Sequence, residues 1–306
     1  MKNKALKYLG FTAAFILSFA IAHRAYKDTK EFEIKDIHIA LENLPQDQDG
    51  LKIAHISDLH NEFFFKDPQD LAFEKESSFQ SLLSQAIHDA NPDIIVITGD
   101  LYDKRNPHIG KGLQIYKELA RIAPVFWVTG NHDKTPLADG STNASNTLAD
   151  MENLGLHCID NKAIKLSDSG LFMLGIEDPY GLDEDQWRLQ LHRVVEEARA
   201  KGAKTLILLS HRPEQIKAYA EEGIDLTLSG HAHGGQVQAP LIGALYAPNQ
   251  GLFPTFSAGL YEMDALKDGT YRKSLLYLSK GLGSTKLEFR FLSKAELAFI
   301  TLHAKH

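Results

Sequence analysis

Residues 93–100 read DIIVITGD, a run of β-branched residues that ends in a glycine and an aspartate. Such a run predicts a strand, and the glycine permits a sharp exit that leaves the aspartate at the strand's carboxyl end. Runs of the same kind stand on either side, KIAHIS at 52–57 and PVFWVTGN at 124–131. Helical segments around 74–90 and 110–122 separate the three runs. This alternation is typical of βαβ units and predicts an α/β fold with a mainly parallel sheet.

A second round of the same alternation follows. The runs LFMLGI at 171–176, TLILLSH at 205–211 and IDLTLSGH at 224–231 predict strands. A charged helix near 184–200 lies after the first of them, and a short helix lies between the other two. The chain therefore contains two successive α/β halves.

The segments outside these halves have other patterns. Residues 32–39 alternate apolar and polar positions and predict one strand. After Gly234 the helical patterns stop, and the runs SLLYLS at 274–279 and AELAFITL at 295–302 predict a more antiparallel ending. Residues 240–256 contain several glycines and prolines and predict a long irregular loop.

Five of the predicted strands end in side chains that can bind a metal ion. A single aspartate there is usually a turn or cap residue. The full ordered set favours a metal site, because ligands bind beyond the carboxyl ends of the strands in open α/β sheets. In chain order the set is Asp58 and His60, Asp100 and Asp103, Asn131, His132 and Asp133, His211, and finally His231 and His233.

The types of donor in this set indicate which metal it would hold. Carboxylate, imidazole and amide oxygen without thiolate suit manganese first, with iron or zinc as alternatives. Hydrolytic sites with two metal ions hold them about 3.5–4 Å apart, and cations at that spacing need an anionic oxygen between them. Asp100, from the middle of the series, is the expected bridging ligand.

Composition limits the remaining functions. The chain has 306 residues, 43% hydrophobic and 24% charged, as one large α/β domain or two small ones would have. The net charge of -7 and the lack of a basic run with interleaved aromatics argue against a nucleic-acid partner. The single cysteine, Cys158, cannot form an intramolecular disulfide. We expect it at the edge of a strand, with a reactive thiol as the alternative.

The N-terminus predicts membrane targeting. Lysines at 2, 4 and 7 precede an uncharged run at 8–22, and further basic residues follow at 23–30. This pattern is typical of a secretory signal or a short signal anchor, although the run is shorter than the ~20 residues of a transmembrane helix. A helix of the domain is the alternative. We expect residues 1–30 to form a signal anchor and linker in the cell membrane, with a single pass. Positive charge on both flanks leaves the side of the catalytic domain undecided.

The ordered motifs resemble those of the calcineurin-like metallophosphoesterases, over roughly residues 51–235. These motifs are D-x-H at 58–60, G-D-x-x-D at 99–103, G-N-H-D at 130–133, S-H at 210–211 and G-H-x-H at 230–233.

Further stretches look like a bacterial subgroup of phosphodiesterases that often carry an N-terminal membrane anchor. Relatives in that subgroup include a UDP-diacylglucosamine pyrophosphatase. The stretches are HISDLHNEFF at 55–64, DIIVITGDLYDKRN at 93–106, GIEDP at 175–179, GHAHGGQV at 230–237 and LYLSKGLGS at 276–284.

The resemblance implies a fold and a role for each motif residue. The fold would be a four-layer α/β/β/α sandwich, formed by residues 31–306, with an N-terminal membrane-targeting helix. His132 would contact the substrate phosphate and act as a catalytic acid, Asn131 would also contact substrate, and Asp103 and Asp133 would orient histidines. One metal ion would be held by Asp58, His60, Asp100 and His233, and the second by Asp100, Asn131, His211 and His231.

The implied reaction is hydrolysis of a phosphodiester or pyrophosphate bond by a hydroxide that bridges two divalent ions. The substrate would be a phosphate-containing small molecule or a lipid-linked one, with a cell-envelope precursor as one candidate. A phosphomonoesterase is the enzymatic alternative, and a non-catalytic metal-binding module for recruitment is the alternative from another class. No feature of the sequence implies an obligate protein partner.

Overall fold

A computed structural model of the chain describes residues 2–62, 81–103, 110–137, 142–267, 269–284 and 289–305. The helices within these residues are α1 (Lys2–Lys30), α2 (Leu82–Ala90), α3 (Gly110–Ile122), α4 (Asn131–Lys134), α5 (Asn143–Asn153), α6 (Glu184–Ala200) and α7 (Ile216–Glu221). The strands are β1 (Phe32–Leu41), β2 (Lys52–Ile56), β3 (Ile94–Thr98), β4 (Val125–Val128), β5 (Leu156–Cys158), β6 (Lys162–Lys165), β7 (Leu171–Gly175), β8 (Thr205–Leu209), β9 (Leu226–Ser229), β10 (Gln238–Ala239), β11 (Gly243–Ala244), β12 (Tyr246–Ala247), β13 (Gly251–Leu252), β14 (Gly259–Lys267), β15 (Thr270–Leu278) and β16 (Ala295–Ala304).

The first large sheet of the described residues has six strands in the order β1-β16-β2-β3-β4-β5. Strands β2 to β5 run parallel, as the alternation of strands and helices predicts. All five residues of β3 are buried, which accounts for its continuous apolar run, because a parallel strand is covered on both faces. The C-terminal strand was predicted to be antiparallel and is so only on one side, since β16 pairs antiparallel with β2 but parallel with β1.

The second large sheet has the order β14-β15-β9-β8-β7-β6. Its centre, β7 to β9, is parallel and continues into β15, which also runs parallel to β9. The outer strands β6 and β14 are antiparallel to their neighbours. Within each sheet the central strands are parallel, so their carboxyl ends lie at the same edge. The predicted ligands follow these ends.

Three large apolar cores and one small one, of Ala232, Ala247 and Leu278, hold these elements together. One joins the first sheet to α2 and α3, with Trp127 fully buried in it. A second contains residues of both sheets, such as Val96 and Ile207. The third joins the second sheet to α6 and α7, around Trp187 and Tyr219. The mixed α/β class is confirmed, and the four-layer sandwich stays an inference that these three cores support.

Residues 240–256 differ from the prediction of one long irregular loop. Two short hairpins occupy most of this stretch, β10–β11 and β12–β13, each with two paired residues per strand. Gly243 and Gly251 have φ angles of +85° and +75°, which let the chain reverse where a side chain would be strained. Strands of two residues are too short to show an alternating pattern, so the sequence gives no sign of them.

Helix α1 extends from Lys2 to Lys30, and its large apolar side chains are exposed. Tyr8, Phe11, Phe15 and Phe19 are each at least 67% exposed and lie on one side of the helix, and Leu17, 62% exposed, lies on the opposite side. Among the residues that the structure describes, no helix combines the length and the apolar character needed to cross a membrane. The single-pass anchor stays a prediction.

Candidate metal centre

The backbone is in an unusual conformation where the predicted ligands follow their strands. Asp58 after β2 and Asp100 after β3 both have a φ of 51°, and His231 after β9 has a φ of 72°. His60 and His233 also have positive φ angles, of 45° and 51°. Residues with a side chain adopt this left-handed region rarely, at a cost of about 1–3 kcal/mol, and such residues cluster at functional sites.

Glycines let these segments approach one another. A Cβ atom on Gly130 would lie 2.2 Å from Oδ1 of Asp100, and one on Gly230 would lie 2.3 Å from Oδ2 of Asp58. Real Cβ atoms do not approach other heavy atoms this closely. The glycines of the G-N and G-H motifs are therefore required by the tight packing of ligand segments from different strands.

The first group of candidate ligands consists of Asp58, His60, Asp100 and His233. Each is buried, and each offers an atom that lies within 4.8 Å of the others. Nε2 of His60 is 3.4 Å from Nε2 of His233 and 3.6 Å from Oδ2 of Asp100. Nε2 of His233 is also 3.3 Å from Oδ1 of Asp58. These four side chains can converge on one divalent ion.

The second group consists of Asp100, His211 and His231 and meets the same distance criterion. Nε2 of His211 lies 3.3 Å from Oδ2 of Asp100 and 3.1 Å from Nδ1 of His231. Asn131, the first residue of α4, has a buried Oδ1 that accepts no hydrogen bond from any described residue. Asp100 belongs to both groups, so two ions held there would share its carboxylate.

The donor atoms of these groups are better suited to bind metal ions than to form hydrogen bonds with one another. Nε2 of His60 faces Nε2 of His233, and two neutral imidazole nitrogens can satisfy each other only if one of them carries the proton. The orphaned Oδ1 of Asn131 adds a buried acceptor that needs a cation or a donor. Oxygen and imidazole donors without thiolate are typical of hydrolytic manganese, iron or zinc sites.

Three of the ligand imidazoles are held neutral. Burial lowers the pKa of His60 to about 4. Burial and the neighbouring His60 lower the pKa of His233 well below its usual value. Burial and the cationic Arg212 do the same for His231. A neutral imidazole is the charge state that binds a metal ion, so these three histidines carry no extra positive charge that would oppose one.

The pair of Asp100 and His211 carries charge instead. Burial opposes ionisation of Asp100, but the facing His211 outweighs it and holds the pKa of the carboxyl well below its usual range. The pKa of His211 rises to about 10, against the effect of burial, because Asp100 lies beside it. Burial raises the pKa of Asp58 to about 6. The cluster thus holds one strongly acidic carboxyl at the position common to both groups.

His132 and Asp103 lie beside the ligand groups. The N–H of His132 donates to Oδ1 of Asp100 at 2.8 Å, and its ring packs edge-on against the ring of His60, with centroids 4.6 Å apart. Nδ1 of His132 is 3.8 Å from Oδ1 of Asp103. The carboxylate therefore faces one ring nitrogen of His132 and directs the other, Nε2, away from Asp103.

The described hydrogen bonds of Asp133 come from the backbone. Its carboxylate accepts from the N–H groups of Gly130 at 2.8 Å and of Tyr102 at 3.2 Å. Asp133 lies in the turn of α4 and binds the segment after β3, so it aligns the backbones of two ligand segments. Its expected role in orienting a histidine stays a prediction.

Arg212 is a site residue that the sequence motifs do not include. Its guanidinium binds Asp178 through two hydrogen bonds, of 2.5 and 2.9 Å, and its Nη1 lies 2.9 Å from Nε2 of His231. Arginine only donates, so Nε2 of His231 accepts and its Nδ1 faces His211. The signal was present in the sequence, since Arg212 directly follows His211 and Asp178 lies in the quoted GIEDP stretch.

The family model for calcineurin-like phosphoesterases matches residues 51–235. This match covers more than half of the chain and contains every candidate ligand. The chain belongs to the calcineurin-like phosphoesterase family. It is therefore a phosphoester hydrolase, and membership favours the enzyme over the non-catalytic recruitment module.

Several relatives carry related names. An uncharacterized metallophosphoesterase of Bacillus subtilis strain 168, YkuE, is 26% identical over 85% of this chain and 81% of its own length. A transmembrane protein with metallophosphoesterase domain from Danio rerio is 25% identical over 88% of this chain, which spans only 57% of that protein. Among solved structures, the sulfate thiohydrolase SoxB of Thermus thermophilus in complex with glycerol has a TM-score of 0.46 at 16% identity, covering 85% of this chain and 57% of that one.

Proposed function

We propose that the chain hydrolyses a phosphodiester or pyrophosphate bond at a centre of two divalent ions. The observation that carries this proposal is the pair of buried ligand groups that share Asp100. Asp58, His60 and His233 would complete the site of one ion, and Asn131, His211 and His231 that of the other. Manganese is the first choice of metal, because the donors are oxygen and imidazole.

Two ions in these groups would supply positive charge for the phosphate oxygens and would lower the pKa of a water molecule towards neutrality. The chain itself supplies the remaining parts. The ligand side chains and Asp133 hold the segments after β2, β3, β4, β8 and β9 at one place, so a phosphate group meets a rigid set of groups. Charge that is fixed in position before the reaction accounts for much of the rate enhancement in many enzymes.

His132 is the proposed proton donor to the leaving oxygen. It lies at the rim of the ligand groups, in contact with His60 and bonded to Asp100 through its backbone. Asp103, at 3.8 Å from Nδ1, would stabilise the imidazolium and direct Nε2 towards the substrate. Asn131, the neighbouring residue, would contact the same phosphate.

We further propose that α1 attaches the protein to a membrane surface and that residues 31–306 form the catalytic domain. Helix α1 exposes the apolar side chains of Tyr8, Phe11, Phe15 and Phe19. Lysines precede this apolar run along the chain, and Arg24 and Lys27 follow it. Apolar side chains around a helix need a cover, and basic flanks suit anionic lipid headgroups. A lipid-linked or cell-envelope phosphate would then be a substrate within reach of the centre.

The deciding experiment compares hydrolysis of bis-p-nitrophenyl phosphate with that of p-nitrophenyl phosphate, before and after removal and return of manganese. We expect manganese-dependent turnover with preference for the diester. A preference for the monoester would instead select the phosphomonoesterase alternative. Metal analysis of the active protein should give two ions per chain.

Replacing Asp100 by alanine should remove both ions and lower turnover by more than the roughly 10²–10⁴-fold that loss of a general acid costs. The matched control is Asp168→Ala, because that carboxylate is fully exposed in the turn between β6 and β7 and belongs to neither ligand group. Full turnover by the Asp100 variant, or inactivity of the native chain with every divalent ion, would overturn the proposal.

A further inference from the structure

Two hairpins beside the metal centre carry exposed apolar side chains. We name β10–β11 and β12–β13 together, residues 238–253, the apolar hairpins. We propose that the exposed apolar side chains of these hairpins insert into the surface of a phospholipid bilayer, so that the metal centre faces the lipid headgroups. This inference rests on the membrane attachment proposed for α1 and adds a second contact, which sets the orientation of the catalytic domain.

Four large apolar side chains of the apolar hairpins are exposed. Leu241 is fully exposed and Ile242 is 63% exposed, both in the turn between β10 and β11. Leu252 in β13 and Phe253 directly after it are 71% and 65% exposed. Short turns ordinarily carry polar or small residues, which cost nothing in water. Four exposed apolar side chains on neighbouring hairpins form a surface that marks a site of interaction.

The apolar hairpins are anchored to the rest of the fold, so their exposed apolar side chains do not belong to a loose segment. Ala244 and Ala247 are buried, and the side chain of Gln238 donates to the carbonyl of Gly234 at 2.9 Å. The N–H of Leu245 also donates to the carbonyl of Val237, at 3.1 Å. The apolar residues are therefore held outward on a rigid base.

Residues 290–292 place the apolar hairpins next to α1. The N–H of Arg290 donates to Oγ1 of Thr29 and that of Leu292 to Oδ2 of Asp28, both at 2.7 Å. Between them, Phe291 donates to the carbonyl of Gln236 and accepts from the N–H of Gln238, both at 2.9 Å. Alternate residues of an extended segment bond to opposite edges, so this segment lies between the end of α1 and the base of the hairpins.

Both elements adjoin the metal centre. The hairpins begin a few residues after His233, whose carbonyl accepts from Nη1 of Arg290 at 3.3 Å. Lys30, the last residue of α1, forms an ion pair of 3.2 Å with Glu62, two residues after His60. A lipid surface in contact with both α1 and the apolar hairpins would thus lie beside the ligand groups.

A bilayer is the occupant that accounts for both exposed elements. The apolar side chains of α1 point to more than one side of the helix. The exposed side chains of the apolar hairpins belong to a separate part of the chain. A lipid surface is continuous and covers both without a matching shape, and the basic residues of α1 favour anionic headgroups. Phe289, which is 46% exposed beside Arg290, extends the apolar surface between them.

The test uses the full chain with Cys158 replaced by serine and a cysteine at position 242, introduced as Ile242→Cys and labelled with an environment-sensitive nitrobenzoxadiazole dye. Vesicles of phosphatidylethanolamine and phosphatidylglycerol are then added. We expect the emission to rise about twofold or more and to be quenched by spin labels placed ~5–10 Å deep, the depth of interfacial apolar side chains.

The matched control carries the dye at Leu266→Cys. Leu266 is 73% exposed near the far end of β14, whereas Gly259, at the other end, pairs with Leu278 just before the ligand segments. Seven residues of strand separate the two ends by about 23 Å. Emission from this position should not change when vesicles are added.

Three results would overturn the inference, and they differ from failure of the proposed hydrolysis. In the first, the chain sediments with vesicles while the dye at position 242 stays in water, so α1 alone attaches the protein. In the second, the chain does not sediment, which also refutes attachment by α1. In the third, emission rises with protein concentration in the absence of vesicles, which would show that the apolar hairpins bind a second copy of the chain. Turnover of soluble bis-p-nitrophenyl phosphate is unaffected by any of these results.

Discussion

Arg290 holds the backbone of the ligand His233, because its Nη1 donates to the His233 carbonyl at 3.3 Å. The same guanidinium donates through Nη2 to the carbonyls of Gly281 and Gly283. The N–H of Gly283 in turn donates to the carbonyl of Asp58 at 2.6 Å. Burial lowers the pKa of Arg290 only to about 10, so the side chain is a cation at neutral pH. One buried cation therefore ties together the segments that carry two candidate ligands of the same ion.

Replacing Arg290 by lysine should weaken metal binding although the charge is kept. A lysine ammonium has three donors and lacks the planar fork that reaches several carbonyls at once. Loss of groups that support metal ligands costs about 10–100-fold in affinity, and we expect a loss near the lower end for manganese. Isothermal titration of the metal-free protein measures it.

The control for this variant is Arg188→Lys, since Arg188 on α6 is partly exposed and forms ion pairs with Glu184 and with Glu221 of α7, neither of which is a candidate ligand. Its metal affinity should equal that of the native chain. If Arg290→Lys also bound manganese with native affinity, Arg290 would be a residue of the fold without influence on the centre.

Replacing His132 by glutamine should lower turnover by about 10²–10⁴-fold, with metal content unchanged. The loss should be greater for a phosphodiester with an alkyl leaving group than for bis-p-nitrophenyl phosphate, because nitrophenolate leaves without a proton. Asp103→Asn should lower turnover less and move the alkaline limb of the pH profile of kcat to lower pH, since loss of the carboxylate destabilises the protonated, proton-donating form of His132. Equal losses for both leaving groups would argue that His132 binds the phosphate and donates no proton.

Replacing Asp133 by asparagine should destabilise the fold. Its two carboxylate oxygens accept from the N–H groups of Gly130 and Tyr102, and an amide nitrogen would oppose one of these donors. A buried hydrogen bond lost in this way costs about 1–3 kcal/mol of the free energy of unfolding. Urea denaturation of metal-free protein measures the cost, and the exposed Asp168→Asn should stay within about 0.5 kcal/mol of the native chain. An unchanged Asp133 variant would show that these backbone bonds contribute no net stability.

The ligand-bearing segments could be predicted from the sequence because of how parallel strands are arranged. Residues after β2, β3 and β4 meet at one edge whatever the length of the connecting helices, so Asp58, Asp100 and Asn131 could be grouped before their distances were known. The glycines before two of them were a further sign, since close approach needs a residue without a side chain.

Other parts of the site leave no such pattern. Arg290 lies 57 residues after His233, and its partners are backbone carbonyls, which every residue has. No spacing of side chains can mark a contact of that kind. The hydrogen bonds of Asp133 could not be predicted for the same reason, because its carboxylate accepts from backbone N–H groups whereas the motif suggested a histidine as its partner.

Cys158 should react slowly with alkylating reagents at neutral pH. It is the last residue of β5 and is half-buried. Burial, followed by the nearby Asp160, raises the pKa of its thiol to about 12. The thiolate is the reactive form, so at pH 8 only about one molecule in 10⁴ is reactive, against roughly a quarter for a thiol of pKa ~8.5.

The pH dependence of the alkylation rate of Cys158 tests this pKa more directly than the rate at a single pH. A raised pKa keeps the thiol protonated until the pH approaches 12, so the rate of iodoacetamide labelling should rise about tenfold per pH unit from 7 to 10. In urea the rate should level off above about pH 8.5, because the unfolded thiol titrates normally. Mass spectrometry of the alkylated chain follows both rates. A native rate that levelled off near pH 9 would return the reactive-thiol interpretation of Cys158, since burial and Asp160 would then have failed to hold its proton.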